Sequence, residues 1–277
     1  MGRSKDVKAS LLIYLKELRL PSMRASFETQ ARRAEQETLS YEQFLLELCR
    51  QECESRQASR IERLLRQSRI AASKDLTSFD LKRLPAKVAR QVRTLTDGSF
   101  LDRRENVLVF GREGTGKTHL LSALGQELIR AGRKVSFWTC SLLVQELLLA
   151  KRDLKLNKTL KRLNAFDAVI IDDIGYVQQS REEMEVLFTL LAERYERGSV
   201  LLTSNLPFSK WETIFKDPMT TAAAIDRLVH HSVILELNIP SYRLEQAKRA
   251  TLAAQARDDV PGDTRPEPAT PGNPGES

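Results

Sequence analysis

Gly111-Arg112-Glu113-Gly114-Thr115-Gly116-Lys117-Thr118 is the stretch of this chain that decides its fold. It is a complete G-x-x-x-x-G-K-T motif that follows the apolar run 106–110 and precedes the helical pattern 119–130. A strand, a glycine-rich turn and a helix in this order are the context in which a P-loop binds nucleotide phosphates. The alternative, a chance match in a glycine-rich turn, leaves the flanking strand and helix unexplained. The eight residues are therefore predicted to form a nucleotide site.

Each residue type in this motif suits the binding of phosphate. The glycines let backbone N–H groups close around the phosphates, and the N-terminus of the following helix adds positive potential. Lys117 is expected to reach the β- and γ-phosphates, and the Thr118 hydroxyl is expected to bind Mg²⁺. The motif thus predicts a nucleotide together with Mg²⁺.

Composition limits the class of protein further. The 277 residues include 44 Lys and Arg against 37 Asp and Glu, a net charge of +7. This length predicts one nucleotide domain with a smaller partner domain. The positive charge favours a polyanionic partner, although a basic protein without one is the alternative. Three cysteines without a C-x-x-C pair, and only three histidines, argue for a reducing compartment and against structural zinc.

The N-terminus reads as an amphipathic helix and not as a targeting segment. It has neither the apolar core of a signal peptide nor a span long enough to cross a membrane. The protein is therefore expected in the cytoplasm, without a membrane partner.

The first 70 residues show helical periodicity and no strand pattern. Leucines recur at helical spacing until Pro21 ends the first helix. Ser22 is predicted to cap the second helix, and Ser40-Tyr41-Glu42-Gln43 predicts a capping box for a third that extends to Ile70, either unbroken or with one break. Residues 1–70 are thus predicted to form a small, basic, all-α domain that binds DNA or a protein partner.

An arginine stripe follows the third predicted helix. Arg56, Arg60 and Arg63 are spaced i, i+4, i+7 and so share one helix face. Arginines on a surface suit contact with the phosphate backbone of DNA. The alternative is a solvated face whose charge is balanced by the glutamates of the same helix.

Residues 71–256 are predicted to form the nucleotide domain, with 71–85 as the connection to it and 257–277 as a disordered tail. Strand and helix patterns alternate through the nucleotide domain. The predicted strands are 106–110, 134–140, 168–173, 199–205 and 232–237, and the main predicted helices are 86–95, 119–130, 141–164, 181–197, 221–231 and 241–256. This alternation predicts an α/β fold, a parallel sheet flanked by helices, with nucleotide at the carboxyl ends of the strands.

Two carboxylates end the third predicted strand. The run Ala168-Val169-Ile170-Ile171-Asp172-Asp173 has the Walker B pattern. Asp172 is the predicted Mg²⁺ partner, because Mg²⁺ is commonly held by one or two carboxylates plus the phosphates. Asp173 is predicted to orient or deprotonate the attacking water. The alternative is that Asp173 simply begins the turn Asp-Ile-Gly.

Asn205 and Arg227 complete the candidate catalytic residues. Asn205 ends the fourth predicted strand, where a neutral donor can hold water against the γ-phosphate; an ordinary turn residue before Pro207 is the alternative. Arg227 lies on a predicted helix from which an arginine can reach the γ-phosphate of a neighbouring subunit. An internal ion pair with Asp226 or another nearby acid is the alternative.

Together these motifs resemble one family. Over about residues 8–250 the chain is similar to the IstB-like transposition helper ATPases, AAA+ relatives of the DnaC helicase loaders. The blocks that carry the resemblance are Leu15-Lys16-Glu17-Leu18-Arg19-Leu20, Gly111–Thr118, Ile170-Ile171-Asp172-Asp173-Ile174-Gly175, Thr203-Ser204-Asn205-Leu206-Pro207-Phe208, Asp226-Arg227-Leu228 and Ser241-Tyr242-Arg243.

The resemblance implies an AAA+ ATPase that uses ATP and assembles as a homo-oligomer with shared ATP sites. It implies that the oligomer forms on duplex DNA and works with the transposase of its own element. It also implies sensor I at Asn205, an arginine finger at Arg227 and sensor II at Arg243. A helicase loader like DnaC is the alternative, and a metabolic P-loop kinase is a more remote one.

Overall fold

The computed structural model describes residues 2–175, 180–215, 217–248 and 251. Its centre is a parallel sheet of five strands in the order β2-β3-β4-β1-β5. The strands are β1 (Asn106–Gly111), β2 (Val135–Thr139), β3 (Ala168–Ile174), β4 (Ser199–Ser204) and β5 (Ser232–Leu237). All five predicted strands are confirmed, and the predicted tail at 257–277 lies outside the described residues.

The order of the strands brings the predicted site residues to one edge. β4 lies between β1 and β3, with Leu108 in register with Leu202 and Ile171 also in register with Leu202. Because all strands run the same way, the carboxyl ends of β1, β3 and β4 meet at the same edge of the sheet. The apolar parts of these strands are buried, as expected for a sheet covered on both faces.

Three helices precede the sheet: α1 (Gly2–Glu17), α2 (Pro21–Gln36) and α3 (Tyr41–Ser68). The predicted capping box of α3 is confirmed, since the Gln43 N–H donates to Ser40 Oγ at 3.3 Å and the Ser40 N–H donates to Gln43 Oε1 at 3.0 Å. None of the described helices has the length and apolar character of a membrane-spanning segment.

The prediction that Ser22 caps α2 is wrong. α2 begins at Pro21, which fits the first helical position because its missing N–H needs no partner there. The N–H groups of Ser22 and Met23 instead donate to Glu52 Oε2 of α3, at 2.8 and 3.0 Å. Burial alone would raise the pKa of Glu52, but the hydrogen bonds from Met23, Arg56 and Ser22 outweigh it and lower the pKa. A carboxylate distant in sequence therefore supplies the cap.

The helices around the sheet are α4 (Ala86–Leu95), α5 (Ser99–Asp102), α6 (Lys117–Arg130), α7 (Cys140–Arg152), α8 (Leu156–Asn164), α9 (Arg181–Arg194), α10 (Glu212–Phe215) and α11 (Pro218–Val229). The single helix predicted for 141–164 is two helices, because Leu154 has a left-handed backbone with φ 58° that interrupts it. The helix predicted to begin at residue 221 begins earlier, at Pro218, because Asp217 caps it by accepting from the Thr220 N–H. A further helix covers residues 242–248.

Two apolar cores lie on the two faces of the sheet. One contains α4, α6 and the end of α3, and the other contains α7, α8, α9, α10 and α11. A third, small cluster holds α1, α2 and the first half of α3 together through Leu15, Met23 and Leu48. α3 therefore contributes to two clusters, since its Leu64 is buried in the core beside α6. The division of the chain at residue 70 stays a prediction.

Candidate nucleotide site

A cavity of about 490 Å³ opens at the carboxyl edge of the sheet. It brings together the P-loop, the end of β3, the residue after β4 and the segment after β5. The lining residues are Lys74, Ser78, Phe79, Asp80, Arg83, Glu113, Gly114, Thr115, Gly116, Lys117, Thr118, His119, Asp173, Asn205, Ile239, Tyr242 and Arg243. A volume of this size matches a pocket for a nucleotide.

The P-loop joins β1 to α6 by a tight turn. Gly114 and Gly116 have φ 76° and 94°, a backbone that residues with a Cβ rarely adopt. Lys117 begins α6 and is buried, with Nζ donating to the Arg112 carbonyl at 3.1 Å. A Cβ on Gly114 would lie 2.0 Å from Ser241 Oγ, so the segment after β5 packs directly on the loop. The predicted strand, turn and helix are confirmed, and they place Lys117 at the cavity.

Burial and neighbouring charges both shift the pKa of Lys117. Burial lowers the pKa of the Lys117 ammonium, and the carboxylates of Asp173, Asp172 and Glu113 oppose that decrease. The nearby cation of Arg243 adds to the decrease. Lys117 and Arg243 therefore repel each other, and an anion that enters the cavity would stabilise the charges of both.

Thr203 of β4 connects the two carboxylates of β3. Its hydroxyl donates to Asp172 Oδ1 at 2.7 Å and accepts from the Asp173 N–H at 2.8 Å. Asp172 is 3% exposed, and burial is the main cause that raises its pKa, with the charge of Asp173 adding to the rise. Hydrogen bonds from Thr203 and Thr118 oppose the rise. The contact with Thr118 places Asp172 beside the P-loop, and its role as the Mg²⁺ partner stays a prediction.

Asp173 reaches the cavity through an irregular backbone. The register between β3 and β4 shifts between Ile171 and Ile174, and Asp173 has φ 60°. A left-handed backbone in a residue other than glycine costs free energy and is common at functional sites. The side chain of Asp173 lines the cavity, whereas that of Asp172 is buried beside Thr203. The two adjacent carboxylates are thus given different environments.

Asn205 and Arg243 also line the cavity. Asn205 follows the last residue of β4, opposite the P-loop end of β1. The Tyr242 N–H donates to the Gly114 carbonyl at 2.9 Å, which fixes Arg243 beside the loop. Asn205 and Arg243 therefore lie where the predicted roles of sensor I and sensor II require them, and those roles stay predictions.

Arg227 lies away from this cavity. It lines a second cavity, at the amino ends of the strands, together with Asn106 of β1 and Val200 of β4. Its Nη1 donates to the Ala223 carbonyl at 2.9 Å, and its guanidinium lies 4.8 Å from the ring centre of Phe188. Within the described part of the chain, the alternative ion pair does not form, either with Asp226 or with another acid.

Two of the three arginines in the predicted stripe form contacts within the protein. Arg56 is paired with Glu52 at 2.9 Å and also donates to the Arg19 carbonyl. Arg60 donates to the Gly132 carbonyl at 3.4 Å, which connects α3 to the end of α6. Arg63 is exposed, and none of the three lines the nucleotide cavity.

Sequence reasoning missed the contribution of residues 74–83. The segment was predicted as a connection, but it forms one wall of the nucleotide cavity. Gln126 of α6 holds its start by donating to the Ala71 and Lys74 carbonyls, each at 3.0 Å. Phe79 lies against Gly116, since a Cβ there would be 3.1 Å from the ring. Phe79, the one aromatic residue of the sequence 71–85, was the available signal.

A second contact that the sequence did not predict involves Arg83, in the same wall of the nucleotide cavity. Arg83 donates to Glu245 at 2.9 Å and lies over the ring of Tyr242, 4.9 Å from its centre. This contact joins the wall to the helix at 242–248. Because Arg83 and Glu245 are more than 160 positions apart, no local pattern could predict the pair.

The parallel sheet, the P-loop after β1 and the paired carboxylates near the end of β3 define a nucleotide-binding protein of the P-loop class. The chain belongs to the IstB-like ATP binding protein family, whose model matches residues 13–250.

Curated relatives agree with this membership. An insertion sequence ATP-binding protein from Sinorhizobium fredii is 40% identical over 244 residues, covering 88% of this chain and 82% of that protein. The ATP-binding protein of insertion sequence IS21 from Pseudomonas aeruginosa is 36% identical over 240 residues, covering 87% and 91%. The ATP-binding protein of IS5376 from Geobacillus stearothermophilus is 37% identical over 235 residues, covering 85% and 94%.

Solved structures support the fold. The DnaC helicase loader aligns with a TM-score of 0.53 at 15% identity, over 61% of this chain and 98% of that one. The replication initiator DnaA bound to AMPPCP and single-stranded DNA aligns with a TM-score of 0.52 at 17% identity, over 68% and 57%. The family resemblance and the AAA+ fold predicted from the sequence are confirmed.

Proposed function

We propose that this protein is an ATPase that assembles on duplex target DNA and recruits or stimulates the transposase of its element. One observation carries the proposal of a shared site. The cavity contains the P-loop, Asp173, Asn205 and Arg243, while Arg227 lies at the opposite edge of the sheet. Arg227 therefore does not reach the nucleotide cavity of its own copy, and a second copy would supply it to stabilise charge on the transferred phosphate.

The residues around the cavity fit MgATP. The P-loop N–H groups and Lys117 would hold the phosphates, and the oxygen donors of Thr118 and Asp172 suit Mg²⁺, which prefers such ligands. When bound, Mg²⁺ would neutralise charge on the phosphates. Asp173 would accept a proton from water or orient it, and Asn205 would donate a hydrogen bond to it.

Binding to DNA is supported by charge and by the relatives. The chain has a net charge of +7, and α3 carries the exposed Arg63. The relatives are named for insertion sequences, and a neighbour in fold was solved with single-stranded DNA. Exposed arginines contact DNA phosphates without reading sequence. Arg56 and Arg60 remain proposed contacts through the donors that their internal bonds leave free.

Sedimentation of the full chain with a duplex fragment tests this proposal. A large complex is expected with ATP and none with ADP or without nucleotide. Lys117→Ala is the control and should form no complex, because the variant loses the cation that holds the β- and γ-phosphates. Monomers on DNA in every nucleotide state would contradict assembly, and no binding at moderate salt would contradict the DNA partner.

The fold similarity to a DnaC helicase loader favours one alternative function. In that case the N-terminal helices would bind a replicative helicase and not DNA. Size-exclusion chromatography of the full chain with such a helicase distinguishes the two. A stable complex that forms without DNA would favour the loader.

Thr203→Val is expected to move the acidic limb of the pH profile for kcat/KM to higher pH. The threonine hydroxyl lowers the pKa of Asp172, so its loss raises that pKa further. Because Asp172 must be ionised to hold a cation, activity is lost as pH falls through its pKa. We also expect a decrease in kcat/KM of about 10-fold at neutral pH, the size of one hydrogen bond to a charged group.

Steady-state kinetics over pH measure this effect. Thr203→Ser, which keeps the hydroxyl, is the matched control and should retain the wild-type profile. A Thr203→Val profile that is lowered equally at every pH would indicate a purely structural role.

A further inference from the structure

The second cavity, at the amino ends of the strands, has its own chemistry. It measures about 130 Å³ and lies on the face that the proposed function turns towards a neighbouring copy. Its lining residues are Arg103, Arg104, Asn106, Leu191, Arg194, Tyr195, Glu196, Val200, Arg227, Leu228 and His231. Four arginines thus meet one carboxylate, that of Glu196, among the described lining residues.

The four arginines differ in the hydrogen bonds and ion pairs that they form. Arg103 is paired with Glu105 through two hydrogen bonds, and Arg194 donates to four backbone carbonyls. Arg104 and Arg227 have no carboxylate within 4.0 Å in the part of the chain that the structure describes. The cavity therefore presents two guanidinium groups that lack an anionic partner.

Arg194 adds a second, independent sign of a missing anion. It is 1% exposed, and its Nε has no hydrogen-bond partner among the described residues. Its pKa is lowered to about 10, mainly by burial; the charge of Asp167 opposes the decrease and the positive charge of Arg104 adds to it. Burying a hydrogen-bond donor without a partner costs free energy. The charges of Arg194 and Arg104 also repel each other.

A metal ion is the rival occupant. Glu196, His230 and His231 bring ligand atoms within 4.8 Å of one another at the rim. However, Glu196 and His231 line the same cavity as the arginines, whose charges oppose a divalent cation. The surplus of positive charge favours an anion.

We propose that this cavity is a phosphate-binding site in which Arg104 acts together with Arg227. A guanidinium group presents paired donors that match phosphate oxygens. The phosphate would be the γ-phosphate of ATP in a neighbouring copy or free inorganic phosphate. The first source rests on the proposed function, whereas the second does not.

Calorimetric titration with inorganic phosphate tests the site in a single copy. The Lys117→Ala protein is used throughout, so that the P-loop does not contribute. Adding Arg104→Ala should weaken phosphate binding at least about 10-fold, and adding Arg93→Ala, an exposed arginine outside the cavity, should leave it unchanged. Melting temperatures confirm that each variant folds.

A mixing experiment distinguishes the two sources of phosphate. Arg104→Ala should turn over ATP at least about 10-fold more slowly on DNA. Mixing it with Lys117→Ala, which retains Arg104 but lacks ATP, should restore turnover if Arg104 contacts a neighbour's nucleotide. Phosphate binding without restored turnover would assign free phosphate as the ligand.

The inference is overturned if Arg104→Ala changes neither phosphate binding nor turnover. Zinc binding to the cavity that is lost in His231→Ala, without any phosphate binding, would also overturn it. If the wild-type protein shows no turnover on DNA, the proposed function fails, and the phosphate titration still decides whether the site exists.

Discussion

Arg227→Ala is expected to lower the ATP turnover of the assembled protein by about 1,000-fold or more, the usual effect of removing an arginine finger. The affinity of the single copy for ATP should not change, because Arg227 lies outside the nucleotide cavity. The fold should also persist, since Arg227 forms one hydrogen bond to a carbonyl and lies over Phe188 without an ion pair among the described residues.

Turnover on DNA and equilibrium binding of ATP measure the two effects separately. Arg227→Lys is the informative second variant, because it keeps the charge and loses the planar pair of donors. Arg93→Ala serves as the control for loss of an exposed arginine. A loss of ATP affinity in isolated Arg227→Ala would mean that the arginine acts within its own copy.

Asp173→Asn is expected to bind ATP, to hydrolyse it about 100-fold to 10,000-fold more slowly and to remain on DNA. Asparagine is close in size to aspartate and tolerates the left-handed backbone, φ 60°, found at this position. The variant therefore removes the proton acceptor and keeps the shape of the cavity. Without hydrolysis, the interface completed by Arg227 and the many DNA contacts of the oligomer should persist.

Dissociation from labelled duplex after dilution measures this retention. The wild-type protein should leave the DNA as ATP is consumed, while Asp173→Asn should stay bound for as long as ATP is present. Lys117→Ala is the opposite control, since on its own it should not assemble. Rapid release of Asp173→Asn would show that hydrolysis is not the switch.

The strands and the P-loop could be predicted from the sequence because their signals are local. A buried strand needs a run of apolar residues such as 168–171, and a phosphate-binding turn needs glycine at positions such as Gly114 and Gly116. Asp172, Asp173 and Asn205 could be placed because parallel strands end at one edge of the sheet.

The remaining features depend on contacts between distant residues. Glu52 caps α2 from the middle of α3, and Gln126 holds the segment that carries Phe79. No periodicity in either segment indicates these contacts. The break between α7 and α8 has a different, local cause, the left-handed backbone of Leu154, which the sequence does not signal because leucine favours helix.

α3 has a mechanical consequence. Its 28 residues span about 42 Å, and it joins the small N-terminal cluster at one end and the core beside α6 at the other. α6 begins at Lys117, and Ile70, just beyond α3, is packed so tightly on it that a Cβ at Gly125 would lie 2.7 Å away. Because α3 is one uninterrupted helix, it would move as a rigid unit with α6. A small tilt of α6 would therefore displace the distant N-terminal helices several-fold further.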